Sequence, residues 1–304
     1  MHGQPRERSR CRAGLVVAAV TLVLAAPVTG AGELRLTVFV AVYLTMALVE
    51  QIWPRRQRRE SALPHHMRNV VLSATGSLLA GLMALAGPIV PALVAWRVSG
   101  QGGGLFGVLE LPFVPAVALT VIALDALVWA QHVVFHKVPL LWRLHKVHHT
   151  DIDFDASTGI RFHPIEIGLS LLIKSAAVWL LGAPPEGVLL FEMLLNATAL
   201  FNHANFALPE RADRLVRLLI VTPDMHRVHH SVYRDETDSN YGFNLPWWDR
   251  LFGTYRAQPR DGHDAMTIGV PTHQQRPLAL SELLMLPFVD DDRSADSRQT
   301  RAEQ

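Results

Sequence analysis

The chain has a single cysteine, Cys11, among its 304 residues. One cysteine cannot form an internal disulfide, and it cannot build a cysteine-based zinc site. Charge is also scarce: 18% of the residues are charged, and 28 Lys and Arg nearly balance 27 Asp and Glu, for a formal net charge of +1. Such a balance creates no overall field that would recruit nucleic acid. We therefore expect no nucleic-acid partner.

Apolar sequence, in contrast, is abundant. Apolar residues make up 50% of the chain and the mean hydropathy is +0.20, which excludes a disordered or fibrous protein. Four apolar runs are predicted to cross the membrane, at residues 14–30, 36–53, 69–96 and 111–135. Basic clusters at Arg6–Arg12 and Arg55–Arg59 mark cytoplasmic ends by the positive-inside rule. For residues 1–30, a cleaved signal peptide is the alternative.

A shorter apolar region follows at residues 167–201, and it is divided by Pro184 and Pro185. Each half is marginal for a full crossing. We predict a membrane hairpin that returns to the side it left. Within it, Lys174 and Glu192 lie at similar depths in antiparallel helices. Because an ionisable residue inside an apolar segment needs a partner, we predict that they form an ion pair; the alternative is that each side chain extends to a headgroup.

The predicted fold is all-α: a polytopic membrane helical bundle of about four crossings plus a short membrane hairpin, with a cytoplasmic helical cap. The even number of crossings places both termini and the histidine-rich cap on the cytoplasmic side. We divide the chain into N-terminal transmembrane helices at residues 1–110, a histidine-rich domain at residues 111–255 and a cytoplasmic segment at residues 256–304. The charged tail from about residue 290 is predicted to be disordered.

Histidine is the unusual residue of this chain. Ten of the fifteen histidines lie between His132 and His230, and eight of these form the boxes H-V-V-F-H, H-K-V-H-H and H-R-V-H-H. Residues spaced i, i+3 and i+4 share one helical face, so the imidazoles of a box can reach one metal or two adjacent ones. Eight nitrogens exceed what one tetrahedral zinc can use, which argues for two metals. The eight candidate ligands are His132, His136, His145, His148, His149, His226, His229 and His230.

Other histidines carry weaker signals. His203, in F-N-H-A-N-F, follows the hairpin where the chain leaves the membrane, and we include it as a ninth ligand. His163, in R-F-H-P-I-E, is either a ligand or a residue of a helix start or substrate channel. Five more lie outside the clusters and are expected to be solvated: His2, His65, His66, His263 and His273.

Metal-bound imidazoles usually give their second nitrogen to an acceptor, often a carboxylate. Asp125 lies two helical turns before His132 on the same stripe, inside an apolar run where an unpaired charge is costly. We predict that it is an acceptor, either behind a ligand or structural. Asp249 and Asp224 are further candidates. Three carboxylates are expected to cap a turn: Asp151, Asp153 and Asp155.

Five segments stand in one order along residues 125–255: H-V-V-F-H, W-R-L-H-K-V-H-H, R-F-H-P-I-E, T-P-D-M-H-R-V-H-H and N-Y-G-F-N-L-P-W-W-D-R-L-F-G-T-Y. Their order and spacing resemble the fatty acid hydroxylase / sterol desaturase superfamily of membrane di-iron oxidases. The resemblance implies two irons held mainly by histidine in the domain at residues 111–255, with the nine candidate ligands as the matching positions. It also implies O2-dependent hydroxylation or desaturation at an unactivated C–H bond of a sterol, fatty acyl or related lipid.

Chemistry supports iron over zinc, because zinc has no redox chemistry with which to activate O2. Reducing O2 also needs electrons, and the chain has no G-x-G-x-x-G ahead of a helix and no haem-attachment or cysteine-cluster motif. A separate electron-transfer protein or reductase is therefore implied. Arg143, Lys146 and Arg227 are candidates to dock an acidic donor or to anchor the membrane interface.

Two other classes stay open on the residues alone. A membrane zinc hydrolase would need fewer histidines, and the H-E-x-x-H signature is absent. A metal-transport protein would carry histidines inside its crossing helices, whereas here they lie at the helix ends and beyond. The lipid, the oxidised carbon, the electron donor and the oligomeric state are not specified by these patterns.

Overall fold

The computed structural model describes residues 29–99 and 101–289. In this part of the chain the regular structure is helical, apart from one isolated β-bridge between Ser231 and Ile268. The α-helices are α1 (Thr29–Ile52), α2 (Ala62–Ala86), α3 (Pro91–Ser99), α4 (Gly104–Val108), α5 (Phe113–Lys137), α6 (Pro139–His149), α7 (Pro164–Leu181), α8 (Pro185–Asn202), α9 (Glu210–Val216), α10 (Pro223–His229), α11 (Arg234–Thr237), α12 (Trp247–Leu251), α13 (Gly262–Ala265) and α14 (Leu280–Met285). Short 3₁₀ helices lie at Ala156–Ile160, Pro271–His273 and Leu286–Phe288.

Four stretches are long and apolar enough to cross a membrane: Gly32–Ile52, Ala62–Val108, Phe113–Lys137 and Pro164–Leu181. They correspond to the second, third and fourth predicted runs and to the first arm of the hairpin. The all-α, polytopic fold is therefore confirmed, whereas the cytoplasmic placement of the cap and the domain boundaries stay predictions. The predicted crossing at residues 14–30, save the start of α1, lies outside the described residues, as do His2 and the tail from residue 290.

The third predicted run, residues 69–96, is divided into α2 and α3. Pro88 and Pro91 stand at the division, and proline interrupts a helix because it lacks the amide N–H and its ring clashes with the preceding turn. The carbonyl of Ile89, freed by this break, accepts a hydrogen bond from Ser175 Oγ on α7 at 3.0 Å. The interrupted segment is thereby joined to the hairpin.

The hairpin itself consists of α7 and α8. Gly182 ends α7 in the left-handed conformation, with φ 66°, and a Cβ there would lie 2.0 Å from the carbonyl oxygen of Gly103. Glycine is therefore required at this turn. The predicted Lys174–Glu192 pair is wrong, because Glu192 Oε2 instead binds Arg35 Nη2 at 2.9 Å. Arg35 belongs to α1, which packs alongside α8, and hairpin geometry alone could not reveal that neighbour.

The core of the bundle lies between α3, α5, α7 and α8. Small buried residues such as Ala95, Ala183 and Ala199 allow these helices to approach closely, and such packing is what holds helices together within a bilayer. Phe243 from the later part of the chain belongs to the same core. Its ring lies 4.9 Å from the ring of His132, so the apolar core ends directly at the histidines.

The basic loop between α1 and α2 is tied to the segment that follows α6. Arg58 binds Glu50 at 3.0 Å and also binds Asp155, while the backbone N–H of Arg59 donates to Asp153 at 2.8 Å. Buried charges are tolerated when they are paired in this way. The run predicted to flank the membrane thus also holds α1 and α2 against the histidine-bearing half of the chain.

Candidate metal centre

Three helices, and the residues that directly follow two helices, carry the nine candidate ligands. His132 and His136 lie one turn apart near the end of α5, and His203 directly follows α8. The second box lies on α6, and the third lies on α10 and on His230, the residue that directly follows it. Both of these helices begin with proline, whose fixed φ suits a first helical position. Thr222 caps α10 by accepting the Met225 N–H at 3.4 Å.

The structure brings all nine histidines together in two groups. Within each group, one ring nitrogen per histidine lies within 4.8 Å of every other. The five-histidine group consists of His132, His136, His145, His149 and His229. The four-histidine group consists of His148, His203, His226 and His230.

Each H-x-x-H-H box is shared between the two groups. α6 gives its i, i+4 pair to the five-histidine group and its middle histidine, His148, to the four-histidine group. α10 does the reverse, and its middle histidine, His229, joins the five-histidine group. Residues four apart share a helical face, whereas adjacent residues are rotated by about 100°. The two boxes therefore make complementary contributions to two neighbouring sites.

All nine rings are buried, with at most 3% of any residue exposed. Burial lowers the pKa of His203 to about 3 and the pKa of His229 to about 3. Burial, together with the neighbouring rings, lowers the pKa of four more well below its usual value: His148, His149, His226 and His230. A neutral imidazole keeps the lone pair that a metal ligand requires.

The contact between His132 and His145 has the spacing of two ligands of one metal ion. His132 Nδ1 lies 2.7 Å from the Tyr241 carbonyl oxygen, and His145 Nδ1 lies 2.6 Å from Glu166 Oε1. In the neutral rings both protons are therefore on Nδ1, and the two Nε2 atoms face each other with lone pairs at 3.0 Å. Two nitrogens at adjacent octahedral positions of one metal, each about 2.1 Å from it, are also about 3.0 Å apart.

Other ring nitrogens in the groups have no hydrogen-bond partner. Within residues 29–99 and 101–289, neither nitrogen of His136, His149, His226 or His230 has one. Buried polar atoms are seldom left unpaired. An all-imidazole donor set suits iron, zinc, copper or nickel, so the residues present fit two metal ions.

Several of the rings are held by a hydrogen-bond acceptor on the side that faces away from the centre. His229 Nδ1 lies 2.7 Å from the Ser239 carbonyl oxygen, and His203 Nδ1 lies 2.7 Å from the Ala199 carbonyl oxygen. Such contacts fix which nitrogen carries the proton and leave Nε2 available.

The carboxylates that contact candidate ligands are Glu166, in the first turn of α7, which hydrogen-bonds His145 at 2.6 Å, and Asp238, whose Oδ1 lies 3.5 Å from His136 Nδ1. Neither Asp125 nor Asp249 makes such a contact. Asp125 Oδ2 accepts Trp248 Nε1–H at 2.7 Å, and Asp249 Oδ1 accepts a backbone N–H at 2.9 Å. Both carboxylates are therefore structural acceptors. In α5, Asp125 and the histidines face different neighbours. Glu166 was missed, although it lies in R-F-H-P-I-E, since only the tertiary fold brings it to His145.

The structure also shows the surroundings of several histidines outside the two groups. His163 lies outside both groups and caps α7, its Nδ1 accepting the Ile165 N–H at 3.2 Å, which confirms the helix-start interpretation. The expectation of solvated side chains is wrong for His65 and His263, which are 1% and 7% exposed, and for His66, whose Nδ1 lies 2.8 Å from the Tyr43 hydroxyl oxygen and whose Nε2 lies 3.2 Å from Asp155 Oδ2. His65 is buried because it lies among carboxylates, with Nε2 3.3 Å from Asp155 Oδ2.

Asp155 caps the 3₁₀ helix that follows α6, as expected, by accepting the Ser157 N–H at 2.8 Å. Asp224 binds Arg227. Arg227 is fully buried and Lys146 is 7% exposed, so neither can present its charge to a docked donor. Both residues are buried because they lie within α6 and α10, and the rest of the protein covers both faces of these helices.

Aromatic rings close the centre on the bundle side. Phe162 stacks on His148 with ring centroids 4.5 Å apart, and Phe243 lies 4.9 Å from His132. Both phenylalanines also pack into the bundle core. The centre therefore has an apolar wall that is continuous with the membrane helices.

Comparison with known proteins places these residues in a family context. Residues 117–254, which contain all nine histidines, match the fatty acid hydroxylase family. The chain is 28% identical over 250 residues to an ornithine lipid hydroxylase of Rhizobium tropici, a match that covers 78% of this chain and 74% of the relative. No solved structure matches the chain.

Two further relatives match over shorter stretches. Alkylglycerol monooxygenase of Homo sapiens is 31% identical over 129 residues, 42% of this chain and 27% of the relative. A cholesterol 25-hydroxylase-like protein of Danio rerio is 32% identical over 164 residues, 52% of this chain and 62% of the relative. For these two, the match covers less than two thirds of the relative.

Proposed function

Because the chain belongs to the fatty acid hydroxylase / sterol desaturase superfamily, we propose that it is a membrane-bound, O2-dependent di-iron oxidase that hydroxylates a C–H bond of a lipid. The observation that carries the proposal is the gathering of nine buried histidines into groups of five and four. The relatives are named hydroxylases and a monooxygenase, which favours hydroxylation over desaturation.

One iron is proposed for each histidine group. Iron supplies the redox chemistry that activates O2, which zinc lacks. The residues of the chain orient the ligands: Glu166 holds His145 with Nε2 turned inward, and backbone carbonyls hold His132, His203 and His229 in the same tautomer. The buried shell also excludes water, which protects reactive species from side reactions.

The substrate is proposed to be a lipid whose alkyl chain reaches the centre from the bundle side. Phe162 and Phe243 form the wall there, and both belong to the apolar core of the membrane helices. Apolar walls with a few convergent polar groups are typical of sites for largely apolar ligands. A sterol, a fatty acyl chain or an ether lipid meets this requirement, and the wall does not select among them.

Electrons are proposed to come from a separate protein, since the sequence carries no cofactor motif of its own. We also propose that the histidine groups face the cytoplasm. Lys137 ends α5 directly after the first box, and Arg55–Arg59 follow α1 on the same side of the bundle. Basic residues at these helix ends are what the positive-inside rule expects on the cytoplasmic face.

Lipid analysis of cells that express the protein tests the activity. With isotope-labelled O2 in the culture, the wild-type chain should yield a lipid that has gained one labelled oxygen atom. His226→Ala should not yield it, whereas His273→Ala, a histidine outside both groups, should. A labelled lipid that forms equally with wild type and His226→Ala would contradict the proposal.

Metal analysis of the purified protein separates this proposal from the two alternatives. We expect about two irons per chain, in line with two all-imidazole sites. One tightly held zinc would indicate a hydrolase, and weakly held, exchangeable metal would indicate transport. The metal content should be measured again after the purified protein has been loaded with Fe(II) under anaerobic conditions.

A further inference from the structure

Two neighbouring stretches of the chain after α8 carry six of its exposed large apolar side chains, which are between 44% and 71% exposed. They come from α9 and the loop after it, and from α12 and the residue after it. We call this surface the cap patch: Leu215, Leu218, Leu219, Trp247, Leu251 and Phe252. Soluble proteins rarely leave a contiguous apolar surface of this kind in water without a function.

Two hydrogen bonds join the two stretches into one surface. Trp247 Nε1–H donates to the Leu218 carbonyl oxygen at 2.8 Å. Arg250 Nη2–H donates to the Arg217 carbonyl oxygen at 3.1 Å. The two stretches are therefore held side by side, and their apolar side chains form one surface.

The cap patch adjoins α5, which is long and apolar enough to cross the membrane. The ring of Phe252 stacks on Trp129 with centroids 4.7 Å apart, and Trp248 donates to Asp125 at 2.7 Å. Trp129 and Asp125 precede His132 by three and seven residues, which at a rise of about 1.5 Å per residue is about 4.5 Å and about 10 Å further into the span. This side of the patch therefore lies deeper than the first histidine box.

The border of the patch has the composition of a membrane interface. The Arg250 guanidinium lies 4.1 Å from the centre of the Tyr255 ring, and the Arg214 side chain is 65% exposed and lies 3.8 Å from the Glu210 carboxylate. Tryptophan, tyrosine and arginine beside an apolar face are typical of segments that lie at the headgroup level.

We propose that the cap patch is immersed in the bilayer, among the acyl chains of the leaflet on the histidine side. Its occupant is phospholipid hydrocarbon, because the patch is continuous with the outer surface of a membrane-crossing helix. The immersion holds the cap at a fixed height against the bilayer. It does not depend on bound metal or on catalysis, so it can be tested separately from the proposed function.

A polarity-sensitive fluorophore tests the proposal on the full chain. In a Cys11→Ser background, single cysteines at Leu219 and Leu251 are labelled in detergent, and the protein is reconstituted into phosphatidylcholine vesicles that contain lipid spin-labelled at carbon 5. Leu48→Cys, on the apolar stretch of α1, is the buried-in-lipid control. Gln258→Cys, an exposed position on the cap, is the aqueous control.

Labels at Leu219 and Leu251 should emit at blue-shifted wavelengths and be quenched by the spin-labelled lipid, as at Leu48. The label at Gln258 should emit as in water and resist quenching. Water-like emission at both patch positions would overturn the proposal. Blue-shifted emission without lipid quenching would also overturn it, because it would show that protein, from this chain or another, covers the patch.

Discussion

The two histidine groups differ in how firmly their rings are held. In the five-histidine group, His132, His145 and His229 each have an acceptor behind Nδ1: a carbonyl, the Glu166 carboxylate and another carbonyl. In the four-histidine group of the described chain, such an acceptor is found behind His203, from the Ala199 carbonyl. Fixed rings bind metal more tightly because less ordering is needed on binding. The five-histidine group should therefore bind its metal more firmly.

The largest effect is expected from removing single ligands. Alanine at His145, His148, His226 or His229 should abolish turnover, because a methyl group cannot replace a metal-binding nitrogen while helix packing still holds the bundle. Metal analysis sharpens the comparison: His148→Ala and His226→Ala should lose mainly the metal of the four-histidine group. Near wild-type turnover and full iron content in two of the four variants would contradict the ligand assignment.

Acid should destabilise the metal-free chain through both groups together. The pKa of His203 and the pKa of His229 are lowered by burial to about 3, whereas an unfolded histidine has a pKa of about 6.5. Between these values the unfolded chain binds more protons, so stability is fully present above about pH 6.5 and is lost as pH falls toward 3. In thermal unfolding of the metal-free protein, we expect a single transition whose midpoint temperature falls as the pH is lowered from about 6.5 toward 3. A midpoint that does not change with pH would contradict this.

Glu166→Gln should weaken the five-histidine group selectively. An acceptor behind a metal-bound histidine typically changes metal affinity by about 10 to 100-fold, and an amide is a weaker acceptor than a carboxylate. A chelator should therefore remove the metal of the five-histidine group faster, while release from the four-histidine group stays as in wild type. Glu186→Gln, at the matching first-turn position of α8 and exposed, is the control and should change neither rate.

The spacing of the boxes was enough to predict eight of the nine histidines, because helical periodicity is local, and His203 was predicted from its position after the hairpin. The spacing was not enough to predict their division into five and four, since that depends on how α6 and α10 face each other. The same limit explains why Asp125 was predicted as an acceptor and Glu166 was missed: Asp125 shares a helix with His132, whereas Glu166 reaches His145 from another helix. The membrane helices were predicted from apolar runs, but the break at Pro88 and Pro91 required weighing proline against hydropathy.

The smallest effect is expected at a distance from the centre, where α1 braces α8. Glu192 is 7% exposed and binds Arg35 at 2.9 Å, and α8 leads to His203, a member of the four-histidine group. Arg35→Met leaves a buried carboxylate without its partner, which is costlier than removing both charges. A thermal-stability cycle of Arg35→Met, Glu192→Met and the double variant should therefore show a coupling of about 0.5 to 3 kcal/mol.

Lys174→Met, combined with Glu192→Met, is the matched comparison, because Lys174 lies on the other arm of the hairpin and forms no ion pair with Glu192 within the described chain. The coupling between Lys174 and Glu192 should be smaller than the coupling between Arg35 and Glu192. Any loss of metal in Arg35→Met should come from the four-histidine group, since α8 supplies a ligand only there. Equal coupling for Lys174 and Arg35, or metal lost from the five-histidine group, would show that α1 does not brace the centre through Glu192.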